Sequence, residues 1–227
     1  RIGLCEKYGM RSIFHFGAPF VEYPAIEPLS QCISDSMTLE RYVTLIRNFH
    51  KEFPGVDDLL MYTYDQNAWL CSEDGECKHC SGVPLDKRVT AFVNKLAQTW
   101  HELNPEGRLW WEPWEISGGQ TYKAVEMLDA ECVGLSIHSS ITEVQLALSA
   151  DRWFKNMLTL AEKRNIPVIG ESWLGGATEE TEPYLSIPTP LVTLRALRAM
   201  DKAGKLSGMK EYYGNLPGRE DVNLRTT

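Results

Sequence analysis

Two short strings in this 227-residue chain, Trp110-Trp111-Glu112-Pro113-Trp114-Glu115 and Gly170-Glu171-Ser172-Trp173, place acidic residues among aromatic ones. Cleaving a glycosidic bond takes one carboxylic acid to protonate the leaving oxygen and one carboxylate to face the oxocarbenium-like centre. Flat apolar sugar faces stack on indole rings, and apolar surroundings favour the neutral form of a carboxyl group, which suits a general acid working near neutrality. Glu112 and Glu171 are therefore the first candidates for such a pair. Glu115 is the alternative within its own segment, because Pro113 is expected to end the strand before the i, i+2 alternation can place both on one face.

The elements that must position these residues follow from periodicity. Short apolar, β-branched or aromatic runs predict strands at Ser12–Phe16, Leu59–Tyr64, Leu109–Glu112, Val133–His138, Pro167–Glu171 and Gly208–Tyr213. Amphipathic stretches between them predict helices at Leu39–Phe53, Leu85–Leu103, Thr121–Leu128, Ala150–Arg164 and Leu191–Ala203. Thr38 stands as the start signal of the first of these, with Glu40 and Asp86 in first turns. Asn104-Pro105-Glu106-Gly107 and Arg164-Asn165-Ile166-Pro167 are stop signals ahead of the next strand.

One helix between successive strands implies parallel pairing by right-handed crossovers, in either a doubly wound open sheet or a closed barrel. An open nucleotide-binding sheet should carry a glycine-rich phosphate turn after an early strand, and none is present. The strands end instead in His15, Asp65, Glu112, His138, Glu171 and Tyr212. In a (β/α)8 TIM barrel such ends converge on the face that carries the active site. The expected architecture is α/β: an incomplete barrel with about six recognisable βα units where a full one has eight. Residues 1–227 are read as a single catalytic domain, the C-terminal three quarters of a barrel, and Arg1 to Met10 as the end of a helix inside a longer protein.

At this point the residues reach a resemblance. Glu112-Pro113 after an aromatic strand resembles the Asn-Glu-Pro signature of the large clan of retaining (β/α)8 glycoside hydrolases, whose Glu is the acid/base. Ile169-Gly170-Glu171-Ser172-Trp173 is similar to the later strand that carries the clan's nucleophile, and His138 in Ser136-Ile137-His138 to a histidine on an intervening strand. The resemblance implies a glycosidase, retaining rather than inverting, acting on an oligosaccharide or glycoside without a catalytic cofactor. The chain departs from the clan at two points. Trp111 stands where the clan has Asn, and only one strand fits between Glu112 and Glu171 where the clan has two. The second departure brings in Asp65, at the end of the strand three before that of Glu171. A polar strand end with Asp also resembles, more loosely, hexosaminidase-like barrels.

Around the carboxylates, Trp69, Trp111, Trp114, Trp173, His15, His138 and Tyr212 are the candidate substrate contacts, because they fall at strand ends. Trp100 and Trp153 fall on helices and read as core. The segment Cys71-Ser72-Glu73-Asp74-Gly75-Glu76-Cys77-Lys78-His79-Cys80 holds a Cys-x2-Cys pair that can bite a tetrahedral zinc, with Cys71 and either His79 or a distant residue completing it. A disulfide and free thiols are the alternatives to this structural zinc.

A net charge of −8 without a basic block argues against nucleic acid as a partner, and no apolar run approaches the ~20 residues of a membrane helix. Localisation stays open. Two further readings stand beside the glycosidase. One is a carbohydrate-binding barrel without catalysis, and the other a metal-dependent hydrolase using the Cys and His segment with His15 and His138.

Overall fold

A computed structural model describes residues 2–18, 32–63, 71, 75–113, 116–138, 152–173 and 190–212. Among the described residues, six strands alternate with helices: α1 (Ile2–Lys7), β1 (Ile13–Gly17), α2 (Ser36–Glu52), β2 (Asp58–Tyr62), α3 (Leu85–Leu103), β3 (Leu109–Glu112), α4 (Gly118–Met127), β4 (Val133–His138), α5 (Arg152–Arg164), β5 (Val168–Trp173), α6 (Pro190–Ala203) and β6 (Gly208–Tyr212). The strands lie in the order β1-β2-β3-β4-β5-β6. The register is parallel for β1 with β2, β2 with β3, β4 with β5 and β5 with β6. A doubly wound sheet reverses its order at a switch point, whereas this one runs in chain order throughout, as barrel strands do. The chain forms two compact units, Arg1–Gly134 and Leu135–Thr227, with the boundary inside β4.

In the first unit, every residue of β3 and the run Asp58 to Met61 of β2 are buried, as expected of parallel strands covered by helices. β1 is more open, with Ile13 and Phe14 exposed. The helices pack in sequence, α2 on α3 and α3 on α4, with α3 also on β3. Val89, Phe92, Val93, Leu96, Ala97 and Trp100 recur along α3 at three- and four-residue spacing and are all buried. A Cβ on Gly134 would overlap the ring of Trp110, so the indole of β3 occupies the room that glycine leaves at the start of β4.

The helix ends show why the boundaries fall where they do. The start of α2 is capped by Asp35, whose side chain accepts from the Met37 N–H at 3.2 Å, and not by Thr38. Thr38 lies inside the helix and donates to Asp35 Oδ2 at 3.4 Å. Aspartate is an equally good cap and comes three residues earlier, so the helix extends back to Ser36. Ser117 and Gln120 form a reciprocal capping box that starts α4 at Gly118. Asn165 follows α5 with φ 56°, a left-handed conformation that asparagine tolerates, and Ile166 N–H returns to the Ala161 carbonyl at 2.9 Å.

The entry to β1 is tied to that of β2 by polar contacts. Arg11 grips Asp58 with Nε and one terminal nitrogen, both at 2.8 Å, and the Arg108 N–H donates to the same carboxylate at 2.8 Å. Beside it, Asp57 Oδ2 accepts from the Ser12 N–H at 2.7 Å and the Ser12 hydroxyl at 2.8 Å. Partial burial works against the Asp57 charge, but the two Ser12 donors and the charge of Arg11 outweigh it and hold the carboxyl below its ordinary range. Because the folded pKa is depressed, this stabilisation is present above the unfolded carboxylate value and is lost as pH falls through the folded one. Ser12→Ala is therefore expected to cost about 1 kcal/mol at neutral pH. The gap from the unmodified chain should shrink toward about pH 3, as urea denaturation of both proteins at the two pH values will show. A gap independent of pH would assign the loss to packing rather than to the carboxylate.

Candidate active site

Glu171 lies in β5, paired in register with His138 of β4 on one side and Lys210 of β6 on the other. Its side chain is 2% exposed. Removing a carboxylate from water without partners is costly, and three side chains from the flanking strands reach this one. Lys210 Nζ donates to Oε2 at 3.2 Å, the Ser136 hydroxyl donates to the same oxygen at 3.5 Å, and His138 Nε2 stands 3.7 Å from it. Parallel register explains the convergence: Ser136 and His138 are two apart on β4 and so share a face, and their register neighbours Ile169 and Glu171 are two apart on β5. Gly170, beside Glu171, packs close to Leu206 and Met200, and a Cβ there would stand 3.2 Å from Leu206 Cδ1.

The result is a buried carboxylate with a cation on one side and an imidazole on the other. An ammonium at hydrogen-bond distance compensates negative charge on Oε2, and a carboxylate fixed in direction by such partners is what a nucleophile or a general base requires. Lys210 was not among the residues expected at the site. It sits on an otherwise ordinary strand, Gly208-Met209-Lys210-Glu211-Tyr212, and its one sequence signal is a charge in mid-strand.

In the first unit, Glu112 closes β3 and is buried, 2% exposed. Its backbone carbonyl accepts from both the N–H of Thr63 at 3.0 Å and the Thr63 hydroxyl at 3.1 Å, which ties the last residue of β3 to the end of β2. Trp111, expected among the substrate contacts, is fully buried, and His15 is exposed with its ring edge-on to Tyr62 at 5.7 Å. Tyr212 lies in β6 as expected, whereas β5 runs two residues past the expected end at Glu171 and so includes Trp173. Asp65, Trp69, Trp114 and Glu115 lie outside the described residues.

A second cluster occupies the first unit. Cys71, Cys77 and Cys80, read from the sequence as a group, are joined by Cys32, which the sequence reading did not connect with them. No local signal marks Cys32 for that role, because it precedes α2 and is far from the others along the chain. The thiols perturb one another. Burial and hydrogen bonding among the cysteines push Cys71 up to about 12 and Cys80 up to about 11. The backbone N–H of His79, aimed at Cys77, brings that thiol down to about 6. All six cysteines are unbridged.

No protein-family model and no curated protein matches the chain. Solved structures do. A Thermobaculum terrenum O-GlcNAc hydrolase superposes over 99% of this chain with a TM-score of 0.58 at 12% identity. A Bacteroides ovatus GH5 xyloglucanase, in complex with a heptasaccharide, superposes over 96% with a TM-score of 0.53 at 13% identity. A psychrophilic family 10 endo-β-1,4-xylanase covers 94% with a TM-score of 0.52 at 7% identity. The fold shared with these proteins is that of an incomplete (β/α)8 barrel, with six parallel strands and alternating helices among the described residues. The chain spans 45% of the first of these proteins and 53% of the second. At such identities the likeness is one of backbone, and the site has to be argued from this chain's own residues.

Proposed function

We propose that this chain is the greater part of a glycoside hydrolase domain in which Glu171 is the nucleophile, or second carboxylate, and Glu112 the general acid/base. The observation that carries the reading is the environment of Glu171. It is a carboxylate buried on a strand flanked on both sides and held by Lys210, Ser136 and His138. The fold, shared with proteins whose descriptions are O-GlcNAc hydrolase, xyloglucanase and xylanase, supports carbohydrate as the substrate class.

In a retaining reaction, Glu112 protonates the leaving oxygen while Glu171 forms a bond to the anomeric carbon. Glu112 then takes a proton from the water that releases the sugar. Lys210 and His138 act as positioning residues, holding the attacking oxygen in one direction and offsetting its charge. Asp65 is the rival for the proton donor. No cofactor enters these steps. Trp69, Trp114, Trp173 and Tyr212 are the proposed stacking surface for the sugar.

The test is turnover of aryl glycosides and of β-linked polysaccharides by the full chain, read as released phenol or reducing ends, with the anomer of the first product followed by proton NMR. Net retention is expected. A saccharide that binds by calorimetry but is never cleaved would replace the reading with a carbohydrate-binding barrel. Inversion would overturn the covalent step and leave Glu171 as general base. Comparing Glu112→Gln with Asp65→Asn separates the two donors, since loss of the true donor cripples substrates whose leaving group needs protonation while sparing those with activated phenol leaving groups.

A further inference from the structure

We propose that Cys32, Cys71, Cys77 and Cys80 form a four-thiolate zinc site that staples the connection after β1 to the connection after β2. The inference is independent of the glycosidase reading. Its first support is geometric. The four sulfurs all lie within 4.8 Å of one another. A tetrahedron with Zn–S bonds of about 2.3 Å has its sulfurs ~3.8 Å apart, so one ion at the centre needs only small adjustments of the side chains. Two disulfides would instead require the sulfurs to separate into two bonded pairs of about 2.05 Å, whereas the four form one mutual group.

The second support is the backbone around the Cys-x2-Cys pair. The Cys77 carbonyl accepts from the Cys80 N–H at 3.3 Å and the Ser81 N–H at 2.9 Å, closing a tight turn. Gly82 follows with φ 74°, a conformation that residues other than glycine rarely adopt. Such a turn brings the two sulfurs of a Cys-x2-Cys pair toward one point, as a shared metal ion requires.

The third support is charge. Zinc with four thiolates carries a net charge of −2, and a half-buried anion is stabilised by a nearby cation. Arg88 is that cation. It is 4% exposed, and its terminal nitrogen lies 3.4 Å from Cys80 Sγ and 3.0 Å from the Cys71 carbonyl, while Nε donates to the Val83 carbonyl at 3.0 Å. A guanidinium spanning two members of the cluster from the first turn of α3 suits a thiolate centre better than four neutral thiols. His79 is not needed as a ligand, because its Nδ1 faces Asp35, the cap of α2, at 4.0 Å.

Four thiolates fill the coordination sphere of zinc and leave no position for water, so the site is structural and not hydrolytic. On binding, each thiol gives its proton to solvent and its sulfur to the metal. The ion ties Cys32, three residues before the cap of α2, to Cys80, which precedes α3. In a (β/α)8 barrel these connections follow the carboxyl ends of the strands, the face where active sites are built.

The full chain, purified under reducing conditions from zinc-replete medium, is expected to hold one zinc per chain by elemental analysis. X-ray absorption at the zinc edge should then show a shell of four sulfurs. Cobalt exchange should give the intense absorption of tetrahedral thiolate coordination, unchanged in His79→Ala and weakened and shifted in Cys32→Ser. A shell of three sulfurs and one nitrogen would overturn the role of Cys32. So would a Cys32→Ser protein with the same cobalt spectrum as the unmodified chain. A reduced chain that takes up no zinc or cobalt, or mass spectrometry showing two disulfides among these four cysteines in protein isolated under native conditions, would overturn the site as a whole. The absorption measurement is made on the unmodified chain, so it decides the ligand set even where Cys32→Ser does not fold.

Discussion

Glu171→Gln lowers kcat on any glycoside the chain turns over by ~100- to 10,000-fold, the contribution of one positioned acid–base or nucleophilic group, with little change in KM. The substitution is nearly isosteric, so the strand and its neighbours should survive it. What changes is charge. Glutamine cannot attack the anomeric carbon or accept a proton, and the Lys210 ammonium, now 3.2 Å from an amide instead of a carboxylate, loses its counter-ion. A modest fall in thermal stability should accompany the kinetic loss for that reason, and circular dichroism will separate it from loss of fold. Glu171→Ala goes further, because it opens space where the carboxylate stood. With an activated aryl glycoside, added azide should then restore turnover and give a glycosyl azide of inverted configuration if Glu171 is the nucleophile. Full activity of Glu171→Gln would exclude this residue from the chemistry, whereas loss of activity without azide rescue would leave it as a base or a charge-holding group.

The second large effect falls on stability. Trp100→Ala is expected to cost about 3–5 kcal/mol, the range for truncating a buried aromatic to alanine. That is a sizeable part of the ~5–15 kcal/mol by which folded proteins are usually stable. Trp100 is fully buried on α3, edge-on to His50 of α2 at 5.5 Å and near Phe49 at 6.4 Å, so it fills the seam between the two helices. Its indole Nε1 has no acceptor among the described residues, which offsets part of the loss. A Cβ on Gly107 would press on that same Nε1 and overlap the Asp57 carbonyl, so the turn before β3 lies directly against the indole. Thermal unfolding should shift down by about 10 °C. A shift of a degree or two would mean that the α2–α3 seam repacks freely. Trp100→Phe should recover part of the loss by retaining an aromatic ring in the seam. Because α3 also carries Arg88 against Cys71 and Cys80, the alanine variant should also bind cobalt more weakly.

Much of the architecture was already readable along the chain. The helix expected over Leu85–Leu103 has those bounds in the structure, and the strands of Glu112 and His138 likewise match residue for residue. The amphipathic stripe of α3 and the apolar runs of the strands are local patterns, and burial of one face enforces them wherever the chain packs. Glu171 stands out along the chain as an acidic residue among aromatic ones at the end of an expected strand, and that is a local pattern too. The start of α2 was misplaced at Thr38 because two good caps lie three residues apart and only the backbone conformation decides between Asp35 and Thr38.

What the tertiary structure decided is which distant residues meet. The order of the strands brings Lys210 and His138 to opposite sides of Glu171, and Cys32 to a cysteine group that the Cys-x2-Cys spacing had marked only in part. Periodicity records the face on which a side chain lies, which is a property of neighbours a few residues apart. Convergence depends on register and crossover, set by the summed packing of whole elements, and no single stretch of sequence carries that information.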